Sequence, residues 1–449
     1  MPNMAHTWAR ERRRQPLLAV GLYKFCNQIR KRAGIQHWED MIVNSATKSV
    51  LGARHTNRPV TPFISKLLIA ATIGAYLTFA IIAFANTHNR VGLGGAPLFY
   101  DFSVFYQAAS IADAGNAASA YDDKNMVAAV KNAFPGSTLR LPWNYPPTFQ
   151  LLLMPLGALP YVVAWLVWSC GLYVLYSVLA RKLIAQSEYL WIVLLAPGAA
   201  VNLFFGQNGL LSFVLISAGV FMLKRRPVFG GAVLGMIAYK PQLALIVPLV
   251  LIFGREWRAL AAAAAGQVLL AVWATVALGA NTWVAFANKL LQPSTVFSSS
   301  SSDWRAIPSV MILAKSLGLN PEASTILHWV IASLAAGAAM WIWSKNKEAR
   351  IRAAALGTAA LLVTPYLRGY DLALLVLPIM ALLPYISESI WGRSIIFLAW
   401  LLPAILMFTT PKIQFGALVS IGMMSLLVWY CAKMSETPGM AKITVSPQQ

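Results

Sequence analysis

Long apolar runs joined by short polar segments make up most of the chain from Ser65 onward. The first run, Ser65–Ala85, has no charge after Lys66, and roughly 20 residues are enough to cross the ~30 Å hydrocarbon core of a bilayer. Backbone groups in lipid must satisfy their own hydrogen bonds, so repeated runs of this length predict a helix bundle. We predict an all-α polytopic membrane protein with about twelve transmembrane helices.

One of these runs, residues 228–253, is interrupted by Lys240 and Pro241. Proline ends a helix because it lacks the backbone N–H and its ring clashes with the preceding turn. If this run forms two short helices, the Lys345–Arg352 cluster lies on the same side of the membrane as the other basic joints. A single span would place that cluster on the opposite side. Since basic joints face the cytoplasm, the reading with two helices predicts an inner-membrane protein with both termini inside.

Composition supports this class, because 58% of the 449 residues are hydrophobic and 11% are charged, whereas about 25% are charged in soluble domains. The formal charge of +21 fits the positive-inside bias and attraction to anionic lipid, so we expect no nucleic-acid partner. Cysteine and histidine are few and scattered, with no metal-ligand spacing. We therefore expect no protein-built metal site and no cofactor.

The same pattern divides the chain into three parts. Residues 1–64 form a basic cytoplasmic arm that contacts anionic membrane lipids, residues 65–434 the transmembrane domain, and residues 435–449 a cytoplasmic tail. Two longer polar stretches, 86–146 and 280–323, fall outside by alternation. The first of these stretches contains two predicted short helices, Phe102–Ala114 and Asp123–Phe134.

Unusual polar residues gather on the predicted outer side, which indicates a site there because ionisable groups near membrane depth are costly. Asp101 is a lone carboxylate among aromatic residues, and either a general base or the N-cap of the following helix fits it. Gln207 and Asn208 lie in a short joint between two apolar runs. Tyr145 precedes two prolines, which could equally be architectural.

The cationic candidates on this side each have two readings. Lys240 interrupts an apolar run, which suits a phosphate partner or a lysine that snorkels to the surface. Arg368 and Asp371 are three residues apart and could bind substrate or simply pair with each other. Arg305 follows a serine-rich stretch that is either a loop over the site or a linker.

Six motifs follow one another between about Leu98 and Pro378: YDFSVFYQAA, YDD, NYPPTFQLLLMPLGALP, FGQNGLLSFVLI, RRPVFGGAVLGMIAYKPQLALIVPLVLI and TPYLRGYDLALLVLP. Taken in this order, they resemble glycosyltransferase family 87. Members are polyprenol-phosphate-mannose-dependent α-mannosyltransferases of GT-C architecture. The resemblance therefore implies a membrane-embedded, metal-independent, inverting enzyme whose site faces away from the cytoplasm.

The family's aspartate after the first span matches Asp101, the base that deprotonates the acceptor hydroxyl. Its KP lysine matches Lys240, which would hold the donor phosphate. Arg368 and Asp371 stand where mycobacterial members carry histidine, so the sequence leaves the donor sugar and the role of this segment open. We expect transfer of a hexose, with mannose inherited from the resemblance, from a polyprenyl-phosphate donor to a lipid or glycan acceptor.

Two other classes of protein compete with this interpretation. A transporter or flippase would also use broken helices at Lys240-Pro241 and Gly206-Gln207, but it should show two repeated halves and polar residues near the midplane. A structural membrane subunit that binds a partner through its basic arm would leave the one-sided polar motifs without a role. The sequence favours the transferase over both.

Overall fold

The computed structural model describes residues 62–291, 302–385 and 389–436, and the regular structure in these ranges is helical. Two isolated bridges, which involve His88, Val91 and Pro97, are the exception, and no strand forms in the described residues. The predicted all-α fold is thus confirmed for this part of the chain. The basic arm up to residue 61, most of the serine-rich stretch before Arg305, and the tail beyond residue 436 lie outside the described ranges.

The α-helices in these ranges, numbered in chain order, are α1 (Pro62–Ala85), α2 (Phe102–Asp113), α3 (Asp123–Ala133), α4 (Pro147–Gly157), α5 (Tyr161–Leu183), α6 (Leu190–Leu194), α7 (Pro197–Phe205), α8 (Gly209–Leu223), α9 (Pro227–Gly235), α10 (Pro241–Ala244), α11 (Ile246–Phe253), α12 (Trp257–Leu278), α13 (Ala280–Leu291), α14 (Val310–Ser316), α15 (Pro321–Lys345), α16 (Ala349–Val363), α17 (Val376–Leu382), α18 (Ile390–Phe408) and α19 (Gly416–Glu436). Short 3₁₀ helices lie at Leu93–Gly95, Ala117–Tyr121, Ser187–Tyr189, Met236–Tyr239, Ser302–Ala306, Gly369–Leu375 and Leu383–Tyr385.

Six of the described helices are long and apolar enough to cross a membrane: α1, α5, α12, α15, α18 and α19. A seventh crossing results if Ser187–Leu194 and Pro197–Phe205, bent by 43°, form one broken span. Four shorter apolar segments follow the predicted positions, at Gly209–Leu223, Pro227–Tyr239, Pro241–Phe253 and Gly369–Tyr385. The helical membrane character is therefore supported, whereas the count of about twelve spans stays a prediction.

The polar stretch after α1 folds into the two short helices that the sequence predicts, α2 and α3. Asp122 caps α3 by accepting hydrogen bonds from the backbone N–H groups of Lys124 and Asn125, at 2.7 and 3.2 Å. Gln150 of α4 donates to the carbonyls of Ala108 and Ala117, both at 3.1 Å. These bonds tie the loop to the apolar segment that follows it, and its location outside the membrane stays a prediction.

The predicted break at Lys240 and Pro241 is confirmed. Helix α9 passes into a 3₁₀ turn at Met236–Tyr239, and Pro241 begins α10 at the first helical position, where it needs no N–H donor. A second break, at Leu245, was not predicted. Pro248 explains it, because a proline ring disfavours a helical carbonyl four residues earlier, at Ala244.

Helix α16 lies in the centre of the bundle, with almost every residue from Ile351 to Val363 buried. A helix that is buried on all sides has no solvent-facing stripe, and its small residues allow close packing of its neighbours. At its C-terminal end the chain leaves the helix at Thr364 and enters the segment that carries Arg368 and Asp371. The fold thereby places this late motif in the interior.

Candidate active site

Asp101 is positioned by an unusual backbone immediately before it. Phe99 and Tyr100 both have positive φ, 60° and 23°, a region that large side chains rarely adopt. Two contacts fix this turn: the Phe99 ring stacks on Trp165 at 3.8 Å between centroids, and the Tyr161 hydroxyl donates to the carbonyl of Leu98. Strain held by surrounding packing is a frequent feature of functional sites.

The Asp101 side chain does not cap α2, so the N-cap interpretation is wrong: it accepts no hydrogen bond from the first turn of that helix. Its carboxylate instead takes a hydrogen bond from the side chain of Gln207. Burial raises the pKa of Asp101 to about 6, although the Gln207 bond and the charges of Arg368 and Lys240 act in the opposite direction. Asp101 as a whole residue is partly buried.

Gln207 reaches Asp101 because α7 ends in a tight turn. Gly206 has φ 65°, and a Cβ at this position would lie 2.5 Å from the Cβ of Phe102, so only glycine fits. The indole of Trp168 donates to the carbonyl of Gly206 at 3.0 Å. The turn therefore packs directly against the first residue after Asp101.

Asn208 joins the next part of the site. Its amide nitrogen donates to the hydroxyl of Tyr145 at 2.8 Å, and its backbone carbonyl accepts from the hydroxyl of Tyr239 at 2.8 Å. Ser212 lies 2.6 Å from the same Tyr239 hydroxyl. The Asn208 side-chain oxygen is buried and accepts no hydrogen bond within the described residues. A buried acceptor without a donor suits a hydroxyl of a bound sugar.

Lys240 and Asp371 form a buried ion pair, with side chains that are 3% and 4% exposed. The other carboxylate oxygen of Asp371 accepts the backbone N–H of Arg368 at 3.0 Å. Of the two readings of Arg368 and Asp371, the one in which their side chains pair with each other is therefore contradicted. Arg368 has extended backbone and precedes the 3₁₀ helix that begins at Gly369, so the two side chains do not share a helix face.

The guanidinium of Arg368 is held by an aromatic residue. Its guanidinium lies 5.4 Å from the ring centroid of Tyr366, and its Nε donates to the Tyr366 hydroxyl at 3.2 Å. No carboxylate among the described residues forms a salt bridge with it, and Asp101 is the carboxylate whose charge acts on it. The site thus contains one cation held by a carboxylate and one held by aromatic groups.

The structure brings together seven of the eight side chains that the sequence singles out: Asp101, Tyr145, Gln207, Asn208, Lys240, Arg368 and Asp371. Arg305 is the exception. Its guanidinium lies 5.2 Å from the Trp304 ring centroid, and its carbonyl accepts the amide of Gln414 at 2.6 Å. Neither contact is with a member of the cluster.

Sequence reasoning missed three residues that complete the cluster. Tyr370 places its ring 4.7 Å from the ammonium of Lys240, and Asn202 donates to the carbonyl of Tyr370 at 3.0 Å. Tyr239 links Asn208 to Ser212, as described above. A polar side chain inside the apolar helix α7 was the signal for Asn202, whereas the aromatic residues could not be told from ordinary interface residues.

Gly209 gives a test of how tightly these elements pack. A Cβ at Gly209 would lie 2.3 Å from the Tyr370 carbonyl and 2.7 Å from the Asn202 side-chain oxygen. We expect Gly209→Ala to lower stability by about 1–3 kcal/mol and to reduce activity, since the added methyl group pushes the start of α8 away from the Tyr370 carbonyl and the Asn202 side chain. Thermal unfolding in detergent measures the first effect. Gly337→Ala, where no atom lies within 4 Å, should be neutral; equal losses in both variants would contradict this packing.

Long apolar helices together with a buried, polar and charged cluster are typical of a polytopic membrane protein with an internal site. Residues 143–365 match the family model of glycosyltransferase family 87, which confirms the resemblance seen in the sequence. The chain belongs to this family and is a glycosyltransferase. No curated protein and no solved structure matches the chain. The matched segment includes Tyr145, Gln207, Asn208 and Lys240, and the structure adds Asp101 from before it and Arg368 and Asp371 from after it.

Proposed function

We propose that the protein transfers a hexose, with mannose as the first candidate, from a polyprenyl-phosphate donor to a lipid or glycan acceptor. The observation that carries this proposal is the convergence of one partly buried carboxylate, Asp101, with two cations, Arg368 and Lys240, among apolar helices. Transfer is metal-independent and occurs on the extracytoplasmic side of the inner membrane. Asp101 acts as the base, and the two cations bind the phosphate.

The charge change during the reaction explains why cations are needed. The donor phosphate is a diester with one negative charge, and it gains a second when the bond from the anomeric carbon to the phosphate oxygen breaks. Arg368 and Lys240 therefore attract the leaving group more strongly than the bound donor, which is the condition for lowering the barrier. In this proposal Asp371 holds Lys240 in place, while Arg368 meets the phosphate directly.

Asp101 completes the reaction on the acceptor side. Its carboxylate takes the proton of the acceptor hydroxyl while the hydroxyl oxygen forms the new bond to the anomeric carbon, and polyprenyl phosphate leaves from the opposite face. One carboxylate suffices for such a single displacement, which inverts the anomeric configuration. A pKa of about 6 leaves Asp101 mostly ionised at neutral pH and still basic enough to accept the proton.

An apolar groove offers a place for the lipid tail. Its volume is about 220 Å³, and its walls come from α1, α5, α6 and α7, with Tyr76, Leu203 and Phe204 among its residues. Helix α7 forms one wall and ends at the turn that carries Gln207, so the groove leads toward the cluster. We assign this groove to the first isoprene units of the donor.

Gln207 provides a prediction about pH. Because Asp101 must be ionised to act, kcat/KM should fall as the pH falls through about 6. The Gln207 hydrogen bond lowers the pKa of Asp101, so Gln207→Leu should raise that pKa and move the midpoint of the profile to higher pH. Gln186→Leu, at an exposed position, is the control. A midpoint in Gln207→Leu that stays in place or moves to lower pH would contradict this role.

The function is tested by transfer of radiolabel from polyprenyl-phosphate-mannose to membrane lipid and glycan extracts by the purified protein. We expect label in an extractable product, with and without chelator. If mannose is not transferred, other polyprenyl-phosphate sugars are assayed in the same way. Failure of all these donors, together with movement of the labelled lipid across proteoliposome bilayers, would support a flippase instead.

A further inference from the structure

A second cavity, of about 700 Å³, shares no lining residue with the candidate active site. Its walls come from the end of α11, the start of α12 and the end of α15, with Phe253, Arg255, Trp257, Lys345 and Lys347 among its residues. Helices α10 and α11 connect Lys240 to this cavity. At about 1.5 Å per residue, residues 241–253 span roughly 20 Å, so the two sites are at opposite ends of these helices.

The walls of this cavity are joined by a buried arginine. Arg352 pairs with Glu256 at 2.6 Å and donates to the carbonyls of Asn346 and Trp343 at 2.7 and 3.0 Å. Lys347 donates to the carbonyl of Gly254 at 2.8 Å, which ties the turn before α12 to the end of α15. The cavity is therefore a built feature of the fold and not a gap between loosely placed loops.

The cavity carries unbalanced positive charge. Glu256, the carboxylate in this turn, is engaged by Arg352 and lies 3.6 Å from Lys347. Arg255 and Lys345 are exposed and form no salt bridge with a carboxylate of the described residues. Arg255 also has φ 57°, a conformation that is rare for its residue type. Two free cations at the rim of one cavity call for an anionic ligand.

The position of the cavity relative to the membrane spans indicates which kind of anion binds there. Trp257 begins α12 and Lys345 ends α15, and both helices are candidate membrane spans, so the cavity lies where spans meet the water boundary. Trp257 and Phe253 are 58% and 51% exposed beside the cations. Aromatic rings and basic residues at this level contact the acyl and phosphate parts of lipids.

We propose that this cavity binds the head group of one anionic phospholipid, with Arg255 and Lys345 on its phosphate and Trp257 and Phe253 against its acyl chains. The site is separate from the candidate active site, and the proposal does not depend on the donor sugar or on Asp101. Removal of both cations should weaken binding roughly tenfold or more, because each basic residue near a bilayer surface contributes to the attraction.

The test is a titration of the purified full-length protein with phosphatidylglycerol in detergent, read by native mass spectrometry. The variant is Arg255→Asn with Lys345→Gln, in which asparagine tolerates the left-handed backbone at this position. The control replaces Lys224, Arg225 and Arg226 by glutamine, since these exposed residues form an equally basic joint between α8 and α9. Thermal unfolding shows whether each variant is folded, and Trp257→Ala removes the aromatic contact while it keeps the charge.

We expect wild type and the control to retain one phosphatidylglycerol with similar affinity, and both the double variant and Trp257→Ala to lose it, with phosphatidylcholine retained by none. Equal retention by wild type and the double variant would overturn the proposal. So would a loss of the same size in the control, which would indicate diffuse attraction. If inorganic phosphate alone binds and displaces the lipid at millimolar concentration, the ligand is a soluble phosphate, and the lipid assignment is wrong.

Discussion

Replacement of Asp101 by asparagine is expected to lower the rate of sugar transfer roughly 10²- to 10⁴-fold, the usual contribution of a general base. The amide keeps the size of the side chain and can still meet Gln207, but it cannot accept the proton of the acceptor hydroxyl. The loss should appear in kcat, because Asp101 does not hold the donor phosphate. The measurement is single-turnover transfer by purified protein in detergent.

Asp113→Asn is the matched control, since Asp113 is an exposed aspartate at the other end of the same helix, α2. It should transfer at the wild-type rate. Both variants should elute and unfold as wild type does, which separates a chemical effect from misfolding. A folded Asp101→Asn variant that transfers at the wild-type rate would remove Asp101 from the mechanism.

The ion pair between Lys240 and Asp371 should produce the largest effect on stability. Removal of one partner leaves the other charged and buried, so Lys240→Met and Asp371→Leu should each lose about 3–5 kcal/mol. The double variant replaces both charges by apolar groups and should recover most of this loss. Chemical or thermal unfolding in detergent measures the cycle.

The transfer activity of the same variants distinguishes a structural role of Lys240 from a role in the reaction. The folded double variant should remain defective in transfer, because it lacks one of the two cations that attract the leaving phosphate. The pair between Lys289 and Asp123 is the comparison, because the Asp123 side chain is 57% exposed: Asp123→Asn should cost about 0–1 kcal/mol. A double variant that transfers at the wild-type rate would mean that Lys240 is structural only.

The fold was largely predictable because apolar length and proline position are local signals. The break at Lys240 and Pro241 follows from the proline ring, and helix α3 follows from its Asp122 cap and from Gly115, which separates it from α2. The break at Leu245 was missed because its cause, Pro248, lies inside the next helix. The number of spans is less accessible, since several apolar segments are shorter than a bilayer and depend on their neighbours.

The residues of the candidate site could be predicted from the sequence, but the contacts between them could not. Charged and amide side chains in an apolar chain mark a site because they are costly in lipid. Which of them pair depends on contacts between distant segments: the Asp371 carboxylate pairs with the side chain of Lys240, 131 positions away, and meets only the backbone N–H of Arg368, three positions away. Arg305 and Arg368 are the same residue type, so the sequence does not distinguish them. Only the tertiary structure shows that Arg368 lies near Asp101 and that Arg305 contacts Trp304 instead.

The central claim is that one single displacement, at the cluster of Asp101, Arg368 and Lys240, moves a sugar from polyprenyl phosphate to an acceptor. NMR of the anomeric protons during the reaction of the purified protein with a β-linked polyprenyl-phosphate hexose tests this claim most directly. The account predicts that the β signal of the donor is replaced by the α signal of a glycosidic product. A donor signal that persists, or a product with retained β configuration, would contradict it.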